Sequence, residues 1–253
     1  MRINHQGNYR FVPGISFLSF ATFASPGYKI RRAVFRNGPP AAAALEVIEE
    51  HLSKQGRPLA ALCGMEFRQY SSRQLTRDEF GVFNKAYVER LAAKGLLIDG
   101  DVPITRTNVV IDNGHHGDAL HAFSYTVPAD SADSAETPQD FVFAAIPEVR
   151  FTAQGETVVA EGETSPEAWL NKVGYILDVA DARLDGAGLD WTSVTDIHLY
   201  STSDLHAIVT GPMRSRVGPA SWNGMQWTHA LPPIGPSQVE LDFRRVSAEE
   251  RIG

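Results

Sequence analysis

The sequence predicts an α+β fold made of two similar halves, and three observations carry that reading. Helix-period and strand-like segments run in the order strands, helix, strand, helix, strand, strand, and the same order is then written again. Between the two runs lies "PADSADSAETPQD" (128–140), which is acidic, small and polar, without apolar periodicity. The 253 residues are 43% hydrophobic and 21% charged, the balance of a globular chain with enough apolar surface for a core. The expected organisation is one unit over 1–128, an acidic linker over 129–140 and a second unit over 141–253, with amphipathic helices on one face of a mixed sheet in each.

In the first half, "AAAALEVIEEHLSKQG" places Leu45, Ile48 and Leu52 at helical spacing and ends at Gly56. A strand, "PLAALCGMEFRQY", follows. The next helix, "RDEFGVFNKAYVERLAAKG", gathers Phe80, Phe83, Tyr87, Val88 and Leu91 on one side. The half closes on two strand-like runs joined by Asn-Gly, which reads as a hairpin turn.

The second half repeats this. Ser165 stands as N-cap, Pro166 at the first helical position and Glu167 in the first turn of a helix whose apolar face is Leu170, Val173, Ile176, Leu177 and Val179, stopped by Gly186 and Gly188. Superposing the helix-ending glycines sets the strand "DWTSVTDIHLYST" against its counterpart, Val194 with Leu62 and Leu199 with Phe67. The second helix, "SDLHAIVTGPMRSRVG", is interrupted at Pro212. Two strand-like runs again close the half.

The net charge of -7 argues against nucleic acid and anionic membranes as partners. The longest apolar run, "ISFLSFATFA", is short of the roughly 20 residues a bilayer-spanning helix needs. One cysteine, Cys63, makes no intrachain disulfide and reads as a small core residue; with no leader visible, the expected compartment is the cytoplasm.

"FNKAY" in a helix, a proline and then "TRTNV" opening a strand, "GLDWTSVTDIHLY" and the closing "QVELDF" together resemble the Rid (YjgF) family of imine and enamine deaminases, here as a tandem pair. The resemblance implies two chorismate-mutase-like α+β units, trimeric assembly with ligand sites in clefts between units, and hydrolysis needing neither metal nor organic cofactor. By residue, it implies that Arg106 binds the substrate carboxylate, that Asn84 and Asn108 accompany it, and that Glu240 positions the hydrolytic water. The second half has no arginine in "WNGMQWTH" and the first has no carboxylate in "HAFSYTV", so arginine and glutamate are split between the halves.

Read from the residues alone, Arg106 is a strand residue whose fork suits a carboxylate. Glu240 alternates with Val239 and Leu241 and would need partial desolvation to act as a base. Trp227 and His229 occupy the second half's version of the arginine strand, and Tyr28 is the opening aromatic expected to touch ligand. His198 reads as structural. His115, His116, Asp118 and His121 are possible metal ligands, but turn imidazoles without a closed Cys/His spacing point to no metal site. The expected function is hydrolytic deamination of an enamine or imine carboxylate; by resemblance to larger tandem relatives, the substrate is a 2-aminomuconate-type compound of aromatic catabolism. The alternatives are a chorismatase-like hydrolase and a non-catalytic module for a small carboxylate. The expected assembly is a homo-oligomer, a trimer of tandem chains.

Overall fold

The computed structural model describes residues 1–112, 117–130, 138–152 and 155–253. In chain order it contains β1 (Arg2–Asn4), β2 (Tyr9–Ile15), β3 (Leu18–Ala24), β4 (Tyr28–Phe35), α1 (Ala44–Lys54), β5 (Leu62–Tyr70), α2 (Arg77–Ala93), β6 (Thr105–Ile111) and β7 (Ala119–Pro128). After these come β8 (Phe141–Pro147), β9 (Val149–Thr152), β10 (Gly155–Val158), α3 (Pro166–Gly186), β11 (Asp196–Tyr200), β12 (Gln226–Thr228), β13 (Glu240–Arg245) and β14 (Ala248–Ile252). The class is α+β with mixed sheets, as the alternating patterns predict.

Two sheets carry the fold. One has five strands in the order β14-β4-β7-β5-β6, the other seven in the order β1-β2-β3-β8-β13-β11-β12. Within them a four-strand pattern recurs: β4-β7-β5-β6 and β8-β13-β11-β12 share order and directions, with only the last pair of each parallel. The terminal strands cross over. β1 to β3 lie on the sheet of the C-terminal half, and β14 lies beside β4 on that of the N-terminal half.

The hairpin expected around Asn-Gly is not formed: β6 pairs in parallel with β5, and β7 pairs with the other edge of β5. Asn113 to His116 themselves lie outside the described residues. A turn signal reports a reversal of the chain, whereas pairing is decided by which strand fills the space between, and here β5 does. The same holds for β12 and β13, which flank β11.

Strand alternation sorts the side chains. Phe23, Phe143, Leu199, Leu241 and Phe243 face α3 with Trp169, Val173, Ile176 and Leu177, while Met65, Phe67, Phe123 and Tyr125 face α1 and α2. Helices thus cover the two outer faces and the sheets meet through their inner ones. Leu170, expected on the apolar side of α3, is 43% exposed; Lys172 is buried instead, its ammonium donating to the carbonyls of Val159 and Ala160. The interrupted helix is a run of short turns over 206–223, with Pro212 inside a wide π turn (Val209–Met213).

Between the sheets a buried ionic network lies beside apolar contacts, Ile30 and Cys63 packing on Tyr9, Phe11 and Val142, and Val109 on Tyr200. The Glu66 carboxylate accepts from Arg32 Nε (2.7 Å) and Arg244 Nη1 (2.6 Å), Arg244 also pairs with Asp242, and Asp242 accepts from Thr107 Oγ1 (2.8 Å) and Tyr200 OH (3.1 Å). Burial opposes the charge on Glu66, but Arg244 and Arg32 outweigh it and hold its pKa well below the usual carboxylate range. His198 sits in this network, 3.1 Å from Asp196, in the structural role its pattern predicts. Among the described residues no helix is long and apolar enough to cross a membrane.

Candidate active site

A cavity of about 500 Å³ lies where the two halves meet. From the first half it is lined by the tip of the β2–β3 hairpin (Phe17, Phe20), by α2 (Arg77, Phe80, Asn84) and by β6 (Arg106, Asn108). The second half contributes Pro147, Arg183 of α3, the 232–237 segment and Glu240, the first residue of β13. Arg106 and Glu240, separated by 134 positions in sequence, therefore border one space.

Thr107 turns inward to Asp242, so its neighbours Arg106 and Asn108 turn to the other face of β6, beneath α2. There the Arg106 guanidinium is 4.6 Å from the Tyr87 ring centroid and 4.7 Å from that of Phe17, with Phe83 and Phe80 slightly farther. Nη2 donates to Asn84 Oδ1. With its amide turned to satisfy both ends, Asn108 offers its oxygen to Nε and Nη2 at 3.1 and 3.2 Å. Every polar neighbour is neutral, and Nη1 is buried without a protein partner. Burial lowers the pKa of Arg106 to about 10, against the opposing pull of Tyr87, so the group is charged at neutral pH.

Glu240 is the reverse case. It is only 3% exposed, its Oε1 has no partner, and burial, then Asp242 and Glu148, push its pKa well above the carboxylate range against a weaker pull from Arg68. A cationic donor and a protonatable acceptor, both buried with an unused polar atom, are costly to leave unsatisfied unless something in the cavity meets them.

The far wall is held by the near half. Gln74 Nε2 reaches the carbonyls of Pro232 (2.9 Å) and Ile234 (3.2 Å) and that of Ser237, while Leu75 N donates to Pro233 O at 2.8 Å. The buried carboxylate of Glu148 fastens the other end of this segment, accepting from Ser237 Oγ and from the backbone N–H groups of Gln238 and Val239.

Three other candidates lie elsewhere. Tyr28 begins β4, with the Arg57 guanidinium 5.2 Å from its ring, and does not line the cavity. Trp227 and His229 lie in and just beyond β12, the edge strand of the other sheet; His229 is exposed, and the Trp227 indole donates to Ser201 O at 3.0 Å. Trp227 pairs with Leu199 as Asn108 pairs with Phe67, which makes Met225, packed on the core, the counterpart of Arg106. Cys63 is fully buried and its thiol is pushed up by burial. Among the described residues no group of three or more His, Cys, Asp or Glu side chains is placed to hold a metal; His115 and His116 fall outside them. Arg183, Gln74 and Glu148 were not singled out from sequence. A basic residue in the last helical turn is the ordinary complement of a helix dipole, and nothing local marks it as a cavity group.

A family model described as 2-aminomuconate deaminase CnbZ matches residues 1–250. A 2-amino-5-chloromuconate deaminase of Comamonas testosteroni is 32% identical over 241 residues, which is 94% of this chain and 93% of that protein. A crystal structure of a chorismatase covers 90% of this chain and 77% of its own at 12% identity, with a TM-score of 0.49, too distant a likeness to bear on the chemistry. Since the family match runs through both halves and the segment joining them, the chain as a whole belongs to the CnbZ family of 2-aminomuconate deaminases.

Proposed function

We propose that the cavity between the halves hydrolytically deaminates 2-aminomuconate or a substituted 2-aminomuconate from aromatic catabolism, releasing ammonia. One observation carries this reading: Arg106 and Glu240, each with a buried polar atom that no protein group meets, line the same space. The family match and the deaminase relative agree with it.

The substrate is an enamine with a carboxylate on the amine-bearing carbon. Arg106 receives that carboxylate on its unused Nη1 edge, with Asn84 and Asn108 fixing the guanidinium plane. Glu240, held towards its protonated form, gives its proton to the enamine carbon. This converts the enamine to a protonated imine, whose carbon is electrophilic. The resulting carboxylate takes a proton from water as the water oxygen bonds to that carbon. That proton is returned to nitrogen, and as the C–N bond breaks the carboxylate takes the remaining hydroxyl proton, leaving a keto group and Glu240 protonated again; one water is consumed and one ammonia released.

We also infer that the chain is a tandem of two YjgF-type units over 1–128 and 141–253, kin to the Rid family, with cytoplasmic residence and assembly as a trimer of tandem chains. The recurring four-strand pattern supports the duplication. The test of function is ammonium release from 2-aminomuconate supplied by an upstream dehydrogenase. Arg106→Met should lose about 100-fold or more in kcat/KM through the lost charge-assisted contact; unchanged kinetics would sink the assignment.

A further inference from the structure

Arg183 reaches the same cavity from the last turn of α3. Its guanidinium lies 4.6 Å from the ring of Phe20, another lining residue, and its one hydrogen bond among the described residues runs from Nη1 to Ala144 O at 3.1 Å. An arginine offers five N–H donors in a fixed fork, so most of its capacity is unspent. No carboxylate of the described residues comes within 4.0 Å of it. Burial lowers its pKa to about 10, with Tyr175 opposing, so it too is charged at neutral pH.

The rest of the lining does not balance this charge. Arg77 is already paired with Glu156 at 2.5 Å, Glu161 is exposed to solvent, and Glu240 is drawn towards its neutral form. The cavity therefore holds two guanidinium groups, Arg106 and Arg183, that no acid of the described chain compensates. Much of the remaining wall is apolar, with Phe17, Phe20, Phe80 and Phe151 offering flat surfaces. Two separate cations on an aromatic-walled cavity match a flat, conjugated chain with an anion at each end.

We propose that Arg183 is a second carboxylate anchor, so that the cavity selects dicarboxylates over monocarboxylates. This specificity role rests on the deaminase reading for the identity of the reacting amine, but not for the anion preference. Arg106 holds the carboxylate beside the reacting carbon and Arg183 takes the distal one.

The experiment compares two unreactive probes with the same six-carbon diene: trans,trans-muconate, with two carboxylates, and sorbate, with one. Calorimetric titration of the wild-type protein should show muconate binding at least about tenfold tighter than sorbate, a preference weakened by salt. In Arg183→Met that preference should vanish while sorbate affinity stays within about twofold of wild type, which also shows that the variant is folded. Arg183→Lys should keep part of it. Arg106→Met should weaken both probes. Equal affinity of the wild type for the two probes, or an undiminished muconate preference in Arg183→Met, overturns the proposal and leaves the deaminase reading standing. Absence of ammonia release together with a muconate preference that depends on Arg183 overturns the deaminase reading instead and supports the dicarboxylate site.

Discussion

Glu240 enters the cavity as a carboxyl that burial, Asp242 and Glu148 draw towards its neutral form, and this has two measurable consequences. In the mechanism it must first donate a proton, so Glu240→Gln, which has the shape without the acidity, should lose at least about 100-fold in kcat. The same burial sets a pH dependence of stability. A carboxyl whose folded pKa lies above its unfolded value holds more protons folded than unfolded. Its stabilisation is complete below the ordinary carboxylate value of 4.5 and is lost as the pH rises through the folded value. Between pH 5 and 8 the urea midpoint of the wild type should therefore fall more than that of Glu240→Gln; parallel pH profiles would show that Glu240 ionises normally. Arg106, Asn84 and Asn108 were legible in the sequence because a motif marked them, whereas Arg183 was not: its role comes from where α3 ends relative to β8, which no local pattern encodes.

At the scale of elements, two features beside α2 have separable effects. Thr76 and Glu79 close a capping box at its start, Thr76 Oγ1 accepting from Glu79 N (3.3 Å) and Glu79 Oε2 from Thr76 N (2.8 Å). Thr76→Ala should cost about 1 kcal/mol of stability with little change in kcat/KM. Gln74, two residues earlier, holds the carbonyls of the 232–237 segment. Gln74→Ala should raise KM several-fold through a loosened wall, and a change confined to melting temperature would show that the clamp is only structural. The helices themselves were readable: spacing and caps identified α1, α2 and α3, and Ser165 does cap α3 through Ala168 N at 3.1 Å. Strand pairing was not readable from turns, because β5 and β11 each insert between two strands that are neighbours in sequence.

For the whole molecule, the crossing of the terminal strands matters more than the acidic stretch between the halves. Residues 1–128 without the rest would leave β1 to β3 with no β8 to join, and would lack β14 beside β4. A chain cut between Asp130 and Pro138 should therefore stay together, co-eluting as one species in native gel filtration with its ammonia release intact. Residues 1–128 expressed alone should be insoluble. Separation of the cut pieces into two soluble, folded species would count against this. The order strand, long helix, strand and two closing strands in each half was visible in the sequence, but the crossing was not, since a strand's own pattern gives the period of its buried face and not the sheet it joins.

That the cavity draws Arg106 from one half and Glu240 from the other within a single polypeptide has a kinetic corollary. Had the two halves been separate chains, every site would depend on an encounter, and the working fraction would shrink as the protein was diluted. Joined by peptide bonds, the partners meet at a fixed effective concentration. Turnover per molecule should then stay constant from micromolar to nanomolar protein, whatever larger assembly the chains enter, and a progressive loss on dilution would mean that a neighbouring chain completes the site.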